Sequence, residues 1–84
     1  MRLRELRLRR GMTQRELGQK AGVSEVTVGS IERGVELPTM RTARLLAAAL
    51  EVELADIDEV NQAIERALKK DPTGDSPVGV SSPR

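Results

Sequence analysis

Apolar residues along the chain recur at steps of three and four, between glycines placed where helices stop and hydroxyl residues placed where they begin. The pattern predicts an all-α chain of five helices. Residues 2–10 carry Leu3, Leu6 and Arg10 on one face, and Gly11 follows as the stop. Thr13-Gln14-Arg15-Glu16 has the form of a capping box and opens a second helix that runs to Ala21. Gly22 and Val23 make a tight corner, Ser24 caps a third helix through Arg33, and Gly34 closes it. After the loop Val35–Pro38, Thr39 caps a fourth helix to Leu50 with Leu45, Leu46, Ala49 and Leu50 as its apolar stripe. Leu54, Ile57, Val60, Ile64, Ala67 and Leu68 continue the spacing, so a fifth helix is expected from about Leu54 to Lys70. Its last turn holds Arg66, Lys69 and Lys70, which suits the negative end of the helix dipole. Asp71–Arg84 contains three prolines, two glycines and three serines and is read as a disordered tail.

Composition removes most alternatives to a binding module. At 84 residues the chain holds one small domain, which buries only about 60% of its unfolded surface. Hydrophobic residues make up 38% and charged residues 32%, a globular balance, but Phe, Trp, Tyr, Cys and His are absent. Without Cys and His there is no disulfide frame, no zinc finger and no serine–histidine triad. Without aromatic rings there is no platform on which single-stranded bases stack, whereas duplex reading is unaffected. No glycine loop cradles phosphate and nothing supplies a general base near neutrality, so the chain does not read as an enzyme. No metal, cofactor or small-molecule effector is implied. Charge-free stretches fall well short of the roughly 18 residues of a membrane span, and a cytoplasmic protein is expected.

The formal net charge of +1 conceals an asymmetry. Residues 1–50 carry 10 basic and 5 acidic side chains, a net of +5. Residues 51–84 carry 4 basic and 8 acidic side chains, a net of −4. The first half is where a polyanion would dock.

Within that half, Gln14–Arg33 has the spacing of a helix-turn-helix. Leu17 and Ala21 form one buried face, Val28 and Ile31 form the face that crosses it, and Gly18 sits where the two backbones approach. Four segments carry a specific resemblance: L-R-x-x-R-G-M-T-Q-x-E-L over Leu6–Leu17, A-G-V-S-x-x-T-V over Ala21–Val28, I-E-R-G over Ile31–Gly34, and Pro38 followed by A-A-A-L-E-V over Ala47–Val52. Over roughly Leu3–Ile57 the chain resembles the lambda-repressor-like, Cro-type helix-turn-helix family of bacterial and phage transcription regulators, the XRE family.

The resemblance implies a compact five-helix DNA-binding domain whose third helix enters the major groove. On it, Glu25, Val26, Thr27, Gly29 and Ser30 are expected to be exposed. Glu25, Val26, Thr27 and Ser30 are the candidate base readers, while Gly29 has no side chain to read with. Gln14, Arg15, Ser24, Arg9, Arg10 and Arg41 are the candidate phosphate contacts. Arg2 and Arg4 are read as solvated surface, and Met12 and Met40 as gap-filling core or interface residues. Arg7 and Glu32 match a partly buried ion pair that ties the first helix to the third. Gly18 departs from a usual alanine, Gly29 from a hydroxyl residue, and Glu51 from the glycine that usually ends the fourth helix.

These expectations divide the chain into a DNA-binding domain over 1–57, a helical extension over 58–70 and a tail over 71–84. Ile57, Val60, Ile64 and Leu68 would leave an apolar stripe on a monomer, for which a symmetric homodimer is the expected cover and folding back onto the domain the alternative. The function expected is a dimeric repressor or activator on a pseudo-palindromic duplex operator. The competing expectation is an antitoxin-type module that holds a protein partner through its C-terminal helix and tail.

Overall fold

The computed structural model describes residues 1–70, so the expectation for Asp71–Arg84 lies outside the described residues. The elements are α1 (Leu3–Arg9), α2 (Gln14–Ala21), α3 (Glu25–Glu32), α4 (Met40–Leu50), a 3₁₀ turn (Leu54–Asp56) and α5 (Asp58–Lys70). This is the all-α, five-helix architecture that the punctuation implied.

Each cap is visible as a hydrogen bond. Thr13 Oγ1 accepts from the Glu16 amide at 3.0 Å while Glu16 accepts from the Thr13 amide at 2.8 Å. Ser24 Oγ accepts from the Thr27 amide at 3.0 Å, and Thr39 Oγ1 from the Thr42 amide at 3.2 Å. At the corner between α2 and α3, Gly22 takes φ +79°, and the Gly22 and Val23 amides both donate to the Gly18 carbonyl, at 2.8 and 2.9 Å. Helix α4 ends on Glu51 at φ +59°, a left-handed position that a residue with a Cβ occupies under strain.

The continuous fifth helix is not observed. The Asp56 carboxylate accepts from the Glu53 amide at 2.9 Å and closes the 3₁₀ turn, Ile57 is extended, and α5 starts only at Asp58. Apolar steps of three fit a 3₁₀ turn as well as an α-helix, so the spacing runs through the break unaltered.

The core is wholly aliphatic. Leu3 and Leu6 of α1, Leu17 and Ala21 of α2, Val28 and Ile31 of α3, five residues of α4 including Leu46 and Leu50, and Ile57 and Val60 are all buried. Each of the larger side chains contributes about 1.5–3 kcal/mol relative to exposure. The start of α5 also fastens the start of α1. Glu59, itself buried, accepts from the Leu3 amide at 2.8 Å, and the Met1 carbonyl accepts from the Asp58 amide at 2.9 Å.

Candidate nucleic-acid interface

The α2–α3 unit is held by backbone proximity. A Cβ placed on Gly18 would stand 2.8 Å from the Val23 carbonyl oxygen, closer than such contacts allow, and a tight 3.3 Å from the Glu25 amide nitrogen. The first turn of α3 therefore lies directly on α2, and the residues beyond Ser24 project from it. Glu25 is exposed and Val26 is 74% exposed, an apolar side chain left in solvent at the start of the helix. Thr27 is half-buried, and its hydroxyl shares a 2.8 Å hydrogen bond with Ser24 Oγ.

Two of the expected exposures fail. Ser30 is buried at the turn that ends α3, where its carbonyl accepts from the Val35 and Glu36 amides at 2.9 and 3.4 Å. Gly29 is buried too, with Arg33 and Gln14 side chains over the place where its own would stand.

Behind α3 lies the ion pair. Arg7 Nε donates to Glu32 Oε2 at 2.7 Å and Arg7 Nη2 to Oε1 at 3.1 Å, while Nη1 donates to the Met12 carbonyl at 2.8 Å. The side chains of Arg7 and Glu32 are only 10% and 3% exposed. The geometry is bidentate and most of the guanidinium is satisfied, which is what makes a buried pair tolerable. Gln14 Nε2 donates to the same Glu32 Oε1 at 3.1 Å, so the first residue of α2 is braced by the pair and keeps one amide hydrogen free. Burial pushes the Glu32 carboxyl up, but hydrogen bonds from Arg7 and Gln14 and the charges of Arg7 and Arg4 outweigh it and hold the group below its ordinary value. The hydrogen bond to Glu32 raises Arg7, against its own burial.

Of the expected phosphate contacts, Arg9, Arg15 and Arg41 are exposed. Arg10 is exposed as well, with Nη1 3.5 Å from a Glu51 carboxylate oxygen at the end of α4. Arg4 and Arg33, one read as plain surface and the other passed over, line a polar cavity of about 200 Å³ together with Arg7, Gln14 and Glu32. The signal available in the sequence was the i, i+4 spacing of Gly29 and Arg33, which lets a long side chain cover a bare turn.

The stripe expected on α5 is divided. Ile57 and Val60 are fully buried in the domain's own core, so they do not form an exposed face. The folded-back alternative holds for this part, because both residues belong to the domain's own core cluster. Ile64 is half-buried against the core and Leu68 is 71% exposed. With Pro38, Met40 and Ala67 they line an apolar groove of about 420 Å³.

A helix-turn-helix family model matches residues 3–57. The chain belongs to that family. Similar proteins include an uncharacterized HTH-type transcriptional regulator of Archaeoglobus fulgidus, 38% identical over 67% of this chain and 80% of the relative. Another is YgzD of Bacillus subtilis, likewise an uncharacterized HTH-type transcriptional regulator, 34% identical over 66% of this chain and 83% of its own. Among solved structures, the clp gene regulator ClgR of Corynebacterium glutamicum superposes with a TM-score of 0.63 at 28% identity, over 81% of this chain and 76% of that one. The protein is thus a transcriptional regulator with a helix-turn-helix DNA-binding domain. No described helix is long and apolar enough to cross a membrane.

Proposed function

We propose that the protein is a homodimeric repressor that lays α3 in the major groove of duplex DNA and binds a pseudo-palindromic operator with half-sites about 10 base pairs apart. The observation that carries this is the buttressed α2–α3 unit, which presents Glu25 and Val26 outward while Arg7, Glu32 and Gln14 fix it from behind. Glu25 accepts from a cytosine amino group, Val26 meets a thymine methyl and Thr27 offers its hydroxyl to a base edge. Gln14, Arg15, Ser24, Arg9 and Arg41 hold phosphates, and Ser30, being buried, has no part in reading. The groove formed by Met40, Ile64 and Leu68 is the face that joins two copies and sets the half-site spacing. Occupying an operator in the cytoplasm suffices for repression.

Selection from random duplex DNA tests the reading face. Glu25→Ala with Thr27→Ala relaxes the selected sequence, whereas Arg15→Ala weakens binding to all sequences alike. A flat dependence of log affinity on log salt overturns DNA binding altogether, because phosphate neutralisation releases counterions. Leu68→Lys yields monomers in sedimentation. If the parent chain is itself monomeric at concentrations that saturate DNA, the groove serves a different protein, the antitoxin-type alternative.

A further inference from the structure

Three arginines and a single carboxylate line one cavity beside the recognition helix. Arg7 and Gln14 use up Glu32, at 2.7, 3.1 and 3.1 Å, so the ion pair is neutral as a unit. Arg4 and Arg33 line the same cavity and have no acidic partner within salt-bridge distance among the described residues. The cavity therefore holds two uncompensated positive charges and the free amide hydrogen of Gln14. Its shape depends on Gly29. A Cβ there would lie 3.0 Å from Arg33 Nη1 and 3.5 Å from Gln14 Oε1, so the Arg33 guanidinium rests on the bare turn of α3, next to Gln14.

We propose that this cavity seats one backbone phosphate of duplex DNA, held by Arg4, Arg33 and Gln14, and that Gly29 keeps Arg33 in place by having no side chain. The assignment rests on the DNA-binding function proposed above. A phosphate fits better than a base edge for two reasons. Planar guanidinium forks match its oxygens. The cavity also sits at the far end of α3 from Glu25 and Val26, the residues placed to read bases. Arg33 thereby anchors the C-terminal end of the recognition helix while Arg15 anchors the α2 side.

The test follows binding of the full chain to a labelled duplex pool of random sequence across a salt series. Arg33→Gln and Arg4→Gln each lower affinity about ten-fold for all sequences and reduce the salt slope by about 0.9. Gly29→Ala displaces the guanidinium and gives a similar loss, with a melting temperature equal to or above the parent's, since the atom it meets ends a flexible side chain. Parent-like affinity and slope in Arg33→Gln, with its helical circular dichroism intact, overturn the phosphate seat while DNA binding stands. A parent that shows no salt slope overturns the DNA-binding function beneath it. Inorganic phosphate alone leaves the melting temperature unchanged. If it raises the parent's melting temperature but not that of Arg33→Gln, while Arg33→Gln keeps the parent's DNA affinity and salt slope, the cavity serves a free anion and the proposal falls.

Discussion

Replacing Arg7 with Met removes both guanidinium bonds to Glu32 and leaves that carboxylate with Gln14 as its only hydrogen-bond donor, at 3.1 Å, in a site that exposes 3% of its side chain. An uncompensated buried charge of this kind costs about 3–5 kcal/mol, and Glu32→Leu, which strands Arg7, costs a similar amount. The described 70 residues have a total stability of about 4–10 kcal/mol, so either single variant forfeits a large share of it. The double variant strands no charge, although Gln14 Nε2 loses its acceptor. It loses the 2.8 Å bond from Arg7 to the Met12 carbonyl, and falls only about 2–3 kcal/mol below the parent, whereas the single losses sum to about 6–10. Urea unfolding followed by circular dichroism measures all four corners of the cycle, because the chain has no aromatic residue to report by fluorescence. Single losses under about 1 kcal/mol, or losses that simply add in the double variant, refute the pair as an energetic unit. The parent also has an acid limb of known sign. Glu32 is held below its ordinary value of 4.5, so its contribution is fully present above about pH 4.5 and is lost as pH falls through the lower folded value. The double variant lacks that limb.

Gly18→Ala gains up to about 1 kcal/mol of helix propensity but sets a methyl 2.8 Å from a backbone carbonyl, an overpacking cost of about 1–3 kcal/mol. The expected outcome is a lower melting temperature and weaker DNA binding, and a rise in melting temperature shows that the corner yields freely. Glu51→Gly relieves about 1–2 kcal/mol of left-handed strain at φ +59° against about 0.5–1 kcal/mol of added chain entropy. The exposed contacts of Glu51 with Arg10 and Lys20, at 3.5 and 4.0 Å, subtract little, so thermal melting rises by a few degrees. A fall in melting temperature sinks that account.

The helix ends were legible because a cap is local: Thr13, Ser24 and Thr39 each reach an amide three residues on, and the sequence shows both partners. The ion pair of Arg7 and Glu32 was legible only through family resemblance, since nothing local links residues 25 apart. Leu54 was misassigned to α5 because apolar periodicity does not separate a 3₁₀ turn from an α-helix, although Glu53 and Asp56 formed a box that marked the break. Ser30 was misplaced for a different reason. The resemblance put it outward, but the chain turns back sharply at the end of α3, where the Val35 and Glu36 amides bond the Ser30 carbonyl, and Ser30 lies buried beside that turn. Ile57 and Val60 were read as a surface stripe because periodicity gives the face of a helix and not what that face meets.

The bond between Leu3 and Glu59 closes a loop of 56 residues. Loop-closure entropy for that span is about 4 kcal/mol, against about 1–2 kcal/mol for the corner that seats α3 on α2. The expected order of assembly has the α2–α3 corner forming from neighbouring segments and the two ends of the domain meeting afterwards, an order that φ-values at Leu17 and Leu3 would test. Amide exchange follows the same ranking, the Leu3 amide opening at lower free energy than Leu17. A chain cut after residue 57 matches the family over its whole length and still lacks the latch, since Glu59 and Val60 are gone. The cut is then felt at α3, because α1 carries Arg7, and an unlatched α1 braces α3 less firmly through Glu32.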